Sequence, residues 1–234
     1  PGADTGSPSD AYGFIVVNEN TVFDIKDLTI DGTGRKISQA IRHKGEGTVN
    51  NVKFTEIKYN PSTNYDGFAV VVFGTGNVDV TNSEFSEIGR VGVAYYDPGI
   101  DNSTFSNNTY TGKGTGDWLD YAVQISAGSN VTVSNNVITN NRGVANLDGS
   151  NSAGILVATA LGAGTEATIT ENEINNNIRG ISVGVDASDT STVTASENSL
   201  TGNDVNISST APQVDAKCNW YGTEDFSTID ASIT

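Results

Sequence analysis

The sequence predicts an all-β fold, a solenoid in which short parallel strands wind around one core as a parallel β-helix. The first observation is a degenerate six-residue pattern, clearest at Val133–Ile138, that begins and ends on mostly apolar residues. Its copies end at residues 30, 54, 85, 110, 138, 174, 200 and 221, an average step of about 27 residues. The second observation is that helical periodicity of comparable length is absent. This repeat predicts about eight coils.

Each copy of the pattern must turn a corner, because side chains five residues apart point to opposite faces of a strand. Val80 and Phe85 can reach one core only if the backbone bends between them. The third residue lies at this bend, where Asn and Asp tolerate the left-handed conformation and Asn can bond to neighbouring coils. The predicted structural ladder consists of Asp27, Asn51, Asn82, Asn107 and Asn135. The residues expected to interrupt it are Glu171, Glu197 and Cys218.

A second strand is predicted after each corner. The predicted strands are Ala40–Lys44, Phe68–Phe73, Val91–Tyr95, Tyr121–Ile125, Gly154–Ala158, Gly180–Gly184 and Asp204–Ser208. Apolar residues alternate with smaller or polar ones in several of them, as half-buried strands require. Stacked coils then form long parallel sheets, in which Val80, Val133 and Ile169 should be neighbours along the axis.

The pattern resembles the right-handed parallel β-helix repeats of secreted and cell-surface proteins, an architecture that pectate lyases also use. The segment Val214–Gly222 is similar to the Asn-Asn-Trp-Trp-Gly ending of such surface proteins, with Cys218 and Tyr221 as departures. The resemblance covers residues 13–222, leaving an N-terminal extension or linker at 1–12 and a C-terminal tail, or the start of another segment, at 223–234. It implies little about activity, because this fold hosts lyases, hydrolases, epimerases, adhesins and inert stalks.

The charge is strongly acidic, with a formal net charge of −16 from 28 acidic and 12 basic residues. Such a surface disfavours nucleic acid and anionic membranes, and no apolar run is long enough to predict membrane insertion. Residues 26–58 contain seven of the twelve cations, so basic N-terminal coils could stack on an acidic C-terminal end. The single cysteine, together with the surface-protein ending, favours an extracellular or cell-surface location.

Arg42, His43 and Lys44 are the first candidates for catalysis. Strand alternation places Arg42 and Lys44 outward and turns His43 the other way. A polysaccharide lyase needs a base and a cation near the substrate carboxylate, and neighbouring cations would depress the pKa of a basic side chain. The alternative is that three basic residues merely occupy one exposed strand.

A second cluster combines aromatic and acidic residues on neighbouring coils. The candidates for glycan contact are Tyr95, Tyr96, Trp118 and Tyr121. Asp97 and Asp120 are weak catalytic candidates, because paired carboxylates hydrolyse glycosides. The alternatives are that Asp97-Pro98-Gly99 forms an ordinary turn and that Trp118 covers the edge of a coil.

Motifs for other chemistries are missing from the sequence. A single His and the absence of a Gly-x-Ser-x-Gly motif argue against a zinc site and a nucleophilic triad. Acidic loops such as 186–189 could hold Ca²⁺, but no spacing specifies a site, so we predict no cofactor and no metal ligands.

Two functions therefore stay open. The first is a non-enzymatic extracellular β-helical module, an adhesin, stalk or self-associating filament subunit that could contact extracellular polysaccharide. Its partners would be neighbouring domains or identical subunits at the open ends of the coils. The alternative is a carbohydrate-active enzyme, either a polysaccharide lyase or a glycoside hydrolase. The insertions at 59–67 and 144–154 are short and poor in catalytic side chains, which favours the non-enzymatic module.

Overall fold

A computed structural model describes residues 13–59, 66–160, 162–211 and 213–234, and its strands stack in parallel from coil to coil. The strands are β1 Gly13–Val17, β2 Ile25–Asp31, β3 Gln39–His43, β4 Gly47–Thr55, β5 Phe68–Val72, β6 Val78–Thr81, β7 Glu84–Ser86, β8 Val91–Tyr96, β9 Ser103–Ser106, β10 Thr109–Thr111, β11 Tyr121–Ser126, β12 Asn130–Ser134, β13 Val137–Thr139, β14 Ala153–Val157, β15 Glu166–Thr170, β16 Glu173–Asn175, β17 Arg179–Val183, β18 Thr192–Ser196, β19 Ser199–Thr201, β20 Val205–Ser209 and β21 Gln213–Asp215. One helix, α1 Phe226–Ala231, follows them. This arrangement confirms the β-helix predicted from the repeat.

Two sheets run along the axis. The eight-stranded sheet has the order β1-β3-β5-β8-β11-β14-β17-β20 and contains the strands predicted to follow each corner. The thirteen-stranded sheet joins the strands on both sides of the corner, with β4 continuous through it. In its register Val80 pairs with Phe105, and Val133 pairs with both Phe105 and Ile169. The expected axial neighbours therefore lie in one column.

The corner itself has the conformation expected from the sequence. In all eight copies the third residue is left-handed, with φ between +51° and +60°, namely Asp27, Asn51, Asn82, Asn107, Asn135, Glu171, Glu197 and Cys218. This conformation costs an ordinary residue about 1–2 kcal/mol, so the stacked coils must hold it in place. The bend brings both ends of each copy into the core, where Val80 is 0 % and Phe85 is 2 % exposed.

The ladder lies one residue further along than the sequence predicted. The third-position side chains are exposed and make few contacts between coils, such as the 2.8 Å bond from Asn51 Nδ2 to Asp27 Oδ1. The continuous ladder is built by the fourth residues, which are Ser83, Asn108, Asn136, Asn172, Asn198 and Asn219. It passes without interruption through the copies that have Glu or Cys in third place.

The physical reason is that, at the sharp bend, backbone N–H and C=O groups cannot form the hydrogen bonds of the sheet. The Asn108 N–H donates to Asn136 Oδ1 at 2.9 Å, and Asn136 Nδ2 donates to the Phe105 carbonyl at 2.8 Å. Asn136 Nδ2 also donates to Asn172 Oδ1 at 2.8 Å. One buried amide per coil thus satisfies a donor and an acceptor that the corner would leave unpaired.

The core consists of columns of apolar side chains at strand spacing. In one column the rings of Phe54 and Phe85 are stacked with their centroids 5.0 Å apart. The Tyr110 ring follows, with its centroid 6.1 Å from that of Phe85. Burial of each such ring contributes roughly 1.5–3 kcal/mol to folding. Small residues of the eight-stranded sheet make room for them, because a Cβ on Gly92 would meet the Tyr110 ring at 2.9 Å.

The C-terminal tail packs against the last coil. Asp225 caps helix α1, and the chain beyond it returns to β20, where Ile233 pairs with Ile207 and the Thr234 N–H donates to the Ile207 carbonyl at 2.9 Å. Within the described ranges, no helix is long and apolar enough to span a membrane. The predicted extension at 1–12 lies outside the described residues.

The inner ladder should be far more important for stability than the exposed corner residue beside it. Asn136→Ala leaves the buried Asn108 N–H and Phe105 carbonyl without partners, so we expect a loss of about 3 kcal/mol in the free energy of unfolding. The control Asn135→Gly keeps the left-handed corner and should change that free energy by less than about 1 kcal/mol. Urea denaturation measures both, and equal losses would contradict the assignment of the ladder.

Candidate binding groove

The predicted basic strand lies at β3, with Arg42 and Lys44 on the outer surface. The Arg42 guanidinium lies 4.7 Å from the centre of the Phe73 ring and donates to Gln39 Oε1 at 3.3 Å, and burial lowers its pKa. Lys44 is 4.0 Å from Glu19. These contacts pack the two side chains against the neighbouring coils. Their catalytic role stays a prediction.

His43 points inward, as alternation predicted, and is completely buried in the column between Val17 and Val72. Its Nε2 lies 3.1 Å from the Phe23 carbonyl, which can only accept, so Nε2 carries the proton. Nδ1 has no partner, and burial lowers the pKa of the imidazole. His43 is therefore a neutral core residue.

Asp120 is buried in an ion pair with Lys113. Lys113 Nζ lies 3.2 Å from Asp120 Oδ1, with side-chain exposures of 4 % and 0 %. Tyr110 donates its hydroxyl to Asp120 Oδ1 at 2.6 Å, and the Lys113 N–H donates to Oδ2 at 2.7 Å. Burial lowers the pKa of Lys113 and raises that of Asp120, while the opposite charges of the pair counteract both shifts. The carboxylate anchors the chain before β11 and has no access to a substrate.

The two candidate carboxylates do not form a hydrolytic pair. Asp97 follows the end of β8, whereas Asp120 precedes the start of the neighbouring β11. A strand length of about 20 Å separates them, and a hydrolytic pair needs about 5–10 Å. Asp97 accepts from the Gly99 N–H at 2.9 Å and forms the ordinary turn considered above.

The four aromatic candidates divide between the core and the surface. Tyr95 points inward with 0 % exposure, and its hydroxyl donates to the Thr104 carbonyl at 3.0 Å, so no sugar can stack on it. Tyr96 and Tyr121 lie on the outer face of the eight-stranded sheet. Trp118 packs over Gly116 and Gly143 and donates to the Gly114 carbonyl at 3.0 Å. Glycan contact stays a prediction for Tyr96, Trp118 and Tyr121 only.

A second apolar cluster lies outside the coils, on the outer face of this sheet. It contains Val91, Ala94, Leu119, Tyr121, Ala145, Ala153 and Leu156. Leu119 and Ala145 come from loops that fold back over the strands, and the second loop is closed by an antiparallel bridge between Val144 and Asn151. The Tyr121 hydroxyl donates to the Asn151 carbonyl at 3.2 Å and so fixes the loop on the sheet.

A groove of about 340 Å³ extends from this cluster toward the C-terminal coils. Its floor includes Leu156, Ser182 and Ser208, which occupy one row across β14, β17 and β20. The residues that line its sides include Tyr121, Asp148, Arg179 and Thr210. Arg179 Nη1 donates to Ser182 Oγ at 3.4 Å, which holds the guanidinium over the floor. We call this space the outer groove.

Polar groups without partners lie at the end of the outer groove near Tyr121. Gln124 precedes Leu156 in the row that forms the floor, is 7 % exposed, and has no donor for its Oε1. Arg90 has a buried Nε without an acceptor. Burial raises the pKa of Tyr96 to about 12 and also raises that of Tyr121, so both phenols stay protonated, and the Tyr121 hydroxyl donates to the Asn151 carbonyl. Unpaired buried groups are rare in proteins, and an ordered water or a bound ligand can satisfy them.

A cleft of about 490 Å³ lies along the corner of the first coils, but its polar groups pair with one another. Asn51 donates to Asp27, and Lys53 forms an ion pair with Glu84 at 3.4 Å. In the described part of the chain, no cluster of three or more His, Cys, Asp or Glu could hold a metal ion. The outer groove is therefore the better candidate site.

The sequence did not predict the outer groove as a site, and among its lining residues only Tyr121 was a candidate for glycan contact. Arg90, Gln124, Arg179 and Ser182 belong to three coils and meet only when the coils stack. In the sequence, each of them is a polar residue that either points outward from a predicted second strand or directly precedes that strand. That pattern needs the register between coils, which the spacing alone does not supply.

The sequence matches the model of the family described as right handed beta helix region over residues 10–220. The chain belongs to this right-handed β-helix family. The match confirms the right-handed solenoid that the repeat and the C-terminal ending suggested. Searches of curated proteins and of solved structures give no significant match.

Breaking the buried ion pair should destabilise the protein strongly. Asp120→Asn leaves the Lys113 ammonium buried without a counter-charge, and we expect a loss of about 3 kcal/mol in the free energy of unfolding. The control Asp215→Asn removes an exposed partner of Lys217 and should cost less than about 1 kcal/mol. Chemical denaturation of both variants measures this difference. Similar losses in the two variants would show that the buried Lys113–Asp120 pair contributes no more to stability than the exposed pair.

His43 should make stability fall between about pH 7 and pH 5. Its folded pKa is lowered, so from the unfolded value of about 6.5 down to the lower folded value the unfolded chain binds more protons than the folded one. Stability then decreases as the pH falls, by at most about 1.4 kcal/mol per pH unit. His43→Leu should remove this slope, because His43 is the only histidine in the chain. Thermal melts at pH 7.5 and 5.5 test it, and an unchanged slope in the variant would assign the effect to other groups.

Proposed function

We propose that this β-helix is a non-enzymatic module of a secreted or cell-surface protein and binds a glycan in the outer groove. The observation that supports it is the groove itself, where a tyrosine and unpaired polar groups lie at one end of a polar floor. Sugars offer hydroxyl groups that both donate and accept, together with apolar ring faces. Tyr121 and Leu156 provide apolar surface, and Gln124 Oε1 needs a donor.

The positions of the charged candidates favour binding over catalysis. Asp120 is used in a buried pair, Asp97 in a turn, and Arg42 stacks on Phe73. None of the three lines the outer groove. A lyase or hydrolase would need a base or paired carboxylates close to the bound sugar. The enzymatic alternative therefore has less support.

The ends of the coils support a place between neighbouring domains or subunits. Val22 and Phe23 are exposed at one end, and Trp220 and Phe226 are exposed at the other. Charge attraction between the ends is not part of this proposal, because β1, β2 and the turn between them contain Glu19, Asp24, Asp27 and Asp31 against a single Lys26. Most cations of residues 26–58 lie in later coils, where Lys44, Lys53 and Lys58 pair with acids.

A glycan array followed by calorimetry tests the proposed function. Ser208→Trp fills the outer groove and should weaken binding of any array hit at least about tenfold, whereas Thr168→Trp, an exposed change on the other sheet, should not. The same glycans are incubated with the protein while ultraviolet absorbance and reducing ends are recorded. Product formation would support the enzyme, and failure to bind any glycan would refute the proposal.

A further inference from the structure

We propose, on the basis of the glycan-binding function above, that the ligand is an anionic glycan that runs along the axis and places its acidic groups on Arg179 and Arg90. Both side chains belong to the outer face of the eight-stranded sheet, Arg179 as a wall of the outer groove and Arg90 beside its Tyr121 end.

The two guanidinium groups have no acidic partner in the described part of the chain, although the molecule has 28 acids for 12 cations. The ion pairs found there involve other cations, namely Lys44, Lys53, Lys58, Lys113, Arg142 and Lys217. Asp148 faces the same groove, but hydrogen bonds from Ser150 are the main cause of its lowered pKa, and Arg90 contributes less. Arg35 and Arg42 also lack an ion pair with any described residue, but Arg179 lines the outer groove and Arg90 lies beside it, so these two are the arginines available to an anion bound there.

The geometry of Arg90 adds a second, independent argument. Its Nε is buried and lacks an acceptor, while Gln124 Oε1, also on this face, is buried and lacks a donor. Both residues influence the phenol of Tyr96, which places them in one cluster. A ligand that carries both anionic oxygens and hydroxyl groups offers an acceptor for the arginine and a donor for the glutamine, whereas a bare anion offers only the acceptor.

The spacing of the arginines selects an extended ligand. Arg90 precedes β8 and Arg179 begins β17, so three strand steps, or about 14 Å, separate them along the axis. This backbone spacing gives an extended ligand two separate points of contact. A chain of several sugars with acidic substituents can reach both arginines while its rings lie over Leu156 and Ser182. Guanidinium groups suit this role because they bind planar carboxylates and sulfate oxygens through paired hydrogen bonds.

The experiment is calorimetric titration of the full chain with three probes, namely an oligogalacturonate, its carboxyl-reduced neutral counterpart, and a sulfated galactan oligosaccharide. We expect an acidic probe to bind at least about tenfold more tightly than the neutral one, and less tightly as salt increases. Arg179→Gln should weaken binding of the acidic probe about tenfold and leave binding of the neutral probe unchanged. Arg179→Lys should restore part of the lost affinity for the acidic probe. Arg35→Gln, an exposed arginine away from the groove, is the matched control.

The outcomes separate this inference from the proposed function. Tight binding of the carboxylated or the sulfated probe supports the inference and identifies the anion. Equal affinities for acidic and neutral probes, with no effect of Arg179→Gln, would overturn the inference and leave glycan binding intact. Absence of binding by all three probes would overturn the inference even if the array finds another glycan. Circular dichroism of each variant confirms that the fold is retained.

Discussion

The left-handed corner in every coil is the constraint on which the rest of the structure depends. It brings both ends of a six-residue segment into one core, and it removes one donor and one acceptor per coil from the sheet pattern. The amide ladder from Ser83 to Asn219 satisfies these groups along the axis. The corner and the ladder are therefore one device, since the bend is sterically costly and is held by the bonds that it makes necessary.

This device determines what the interior can contain. Because coils stack in register, each inward position becomes a column, and a residue that differs from its neighbours must be accommodated within it. His43 is accommodated as a neutral ring with one hydrogen bond. Asp120 and Lys113 lie at the edge of the core and neutralise each other. His43 and Asp120, which first looked catalytic, are thus parts of the packing.

The outer face of the eight-stranded sheet is less constrained, and the loops that fold over it determine its shape. The hairpin closed by Val144 and Asn151 folds over strands of its own coil and of earlier ones, covers an apolar cluster, and leaves the outer groove beside it. Regular columns of outward side chains would otherwise give a flat surface. A short insertion is therefore sufficient to build a concave site on a repetitive scaffold.

The sequence by itself determined the repeat, the eight corners, the strands after them and the inward position of His43, because each depends on local spacing and on alternation along one strand. The sequence placed the ladder one residue too early, because the left-handed conformation at the third position does not show which neighbouring side chain is buried. It also assigned Tyr95 and Asp120 to a surface. Only the tertiary structure decided the outer groove, because Tyr121, Leu156, Arg179 and the loop at 144–151 come together through the register between coils. That register depends on contacts between residues 26 to 32 positions apart.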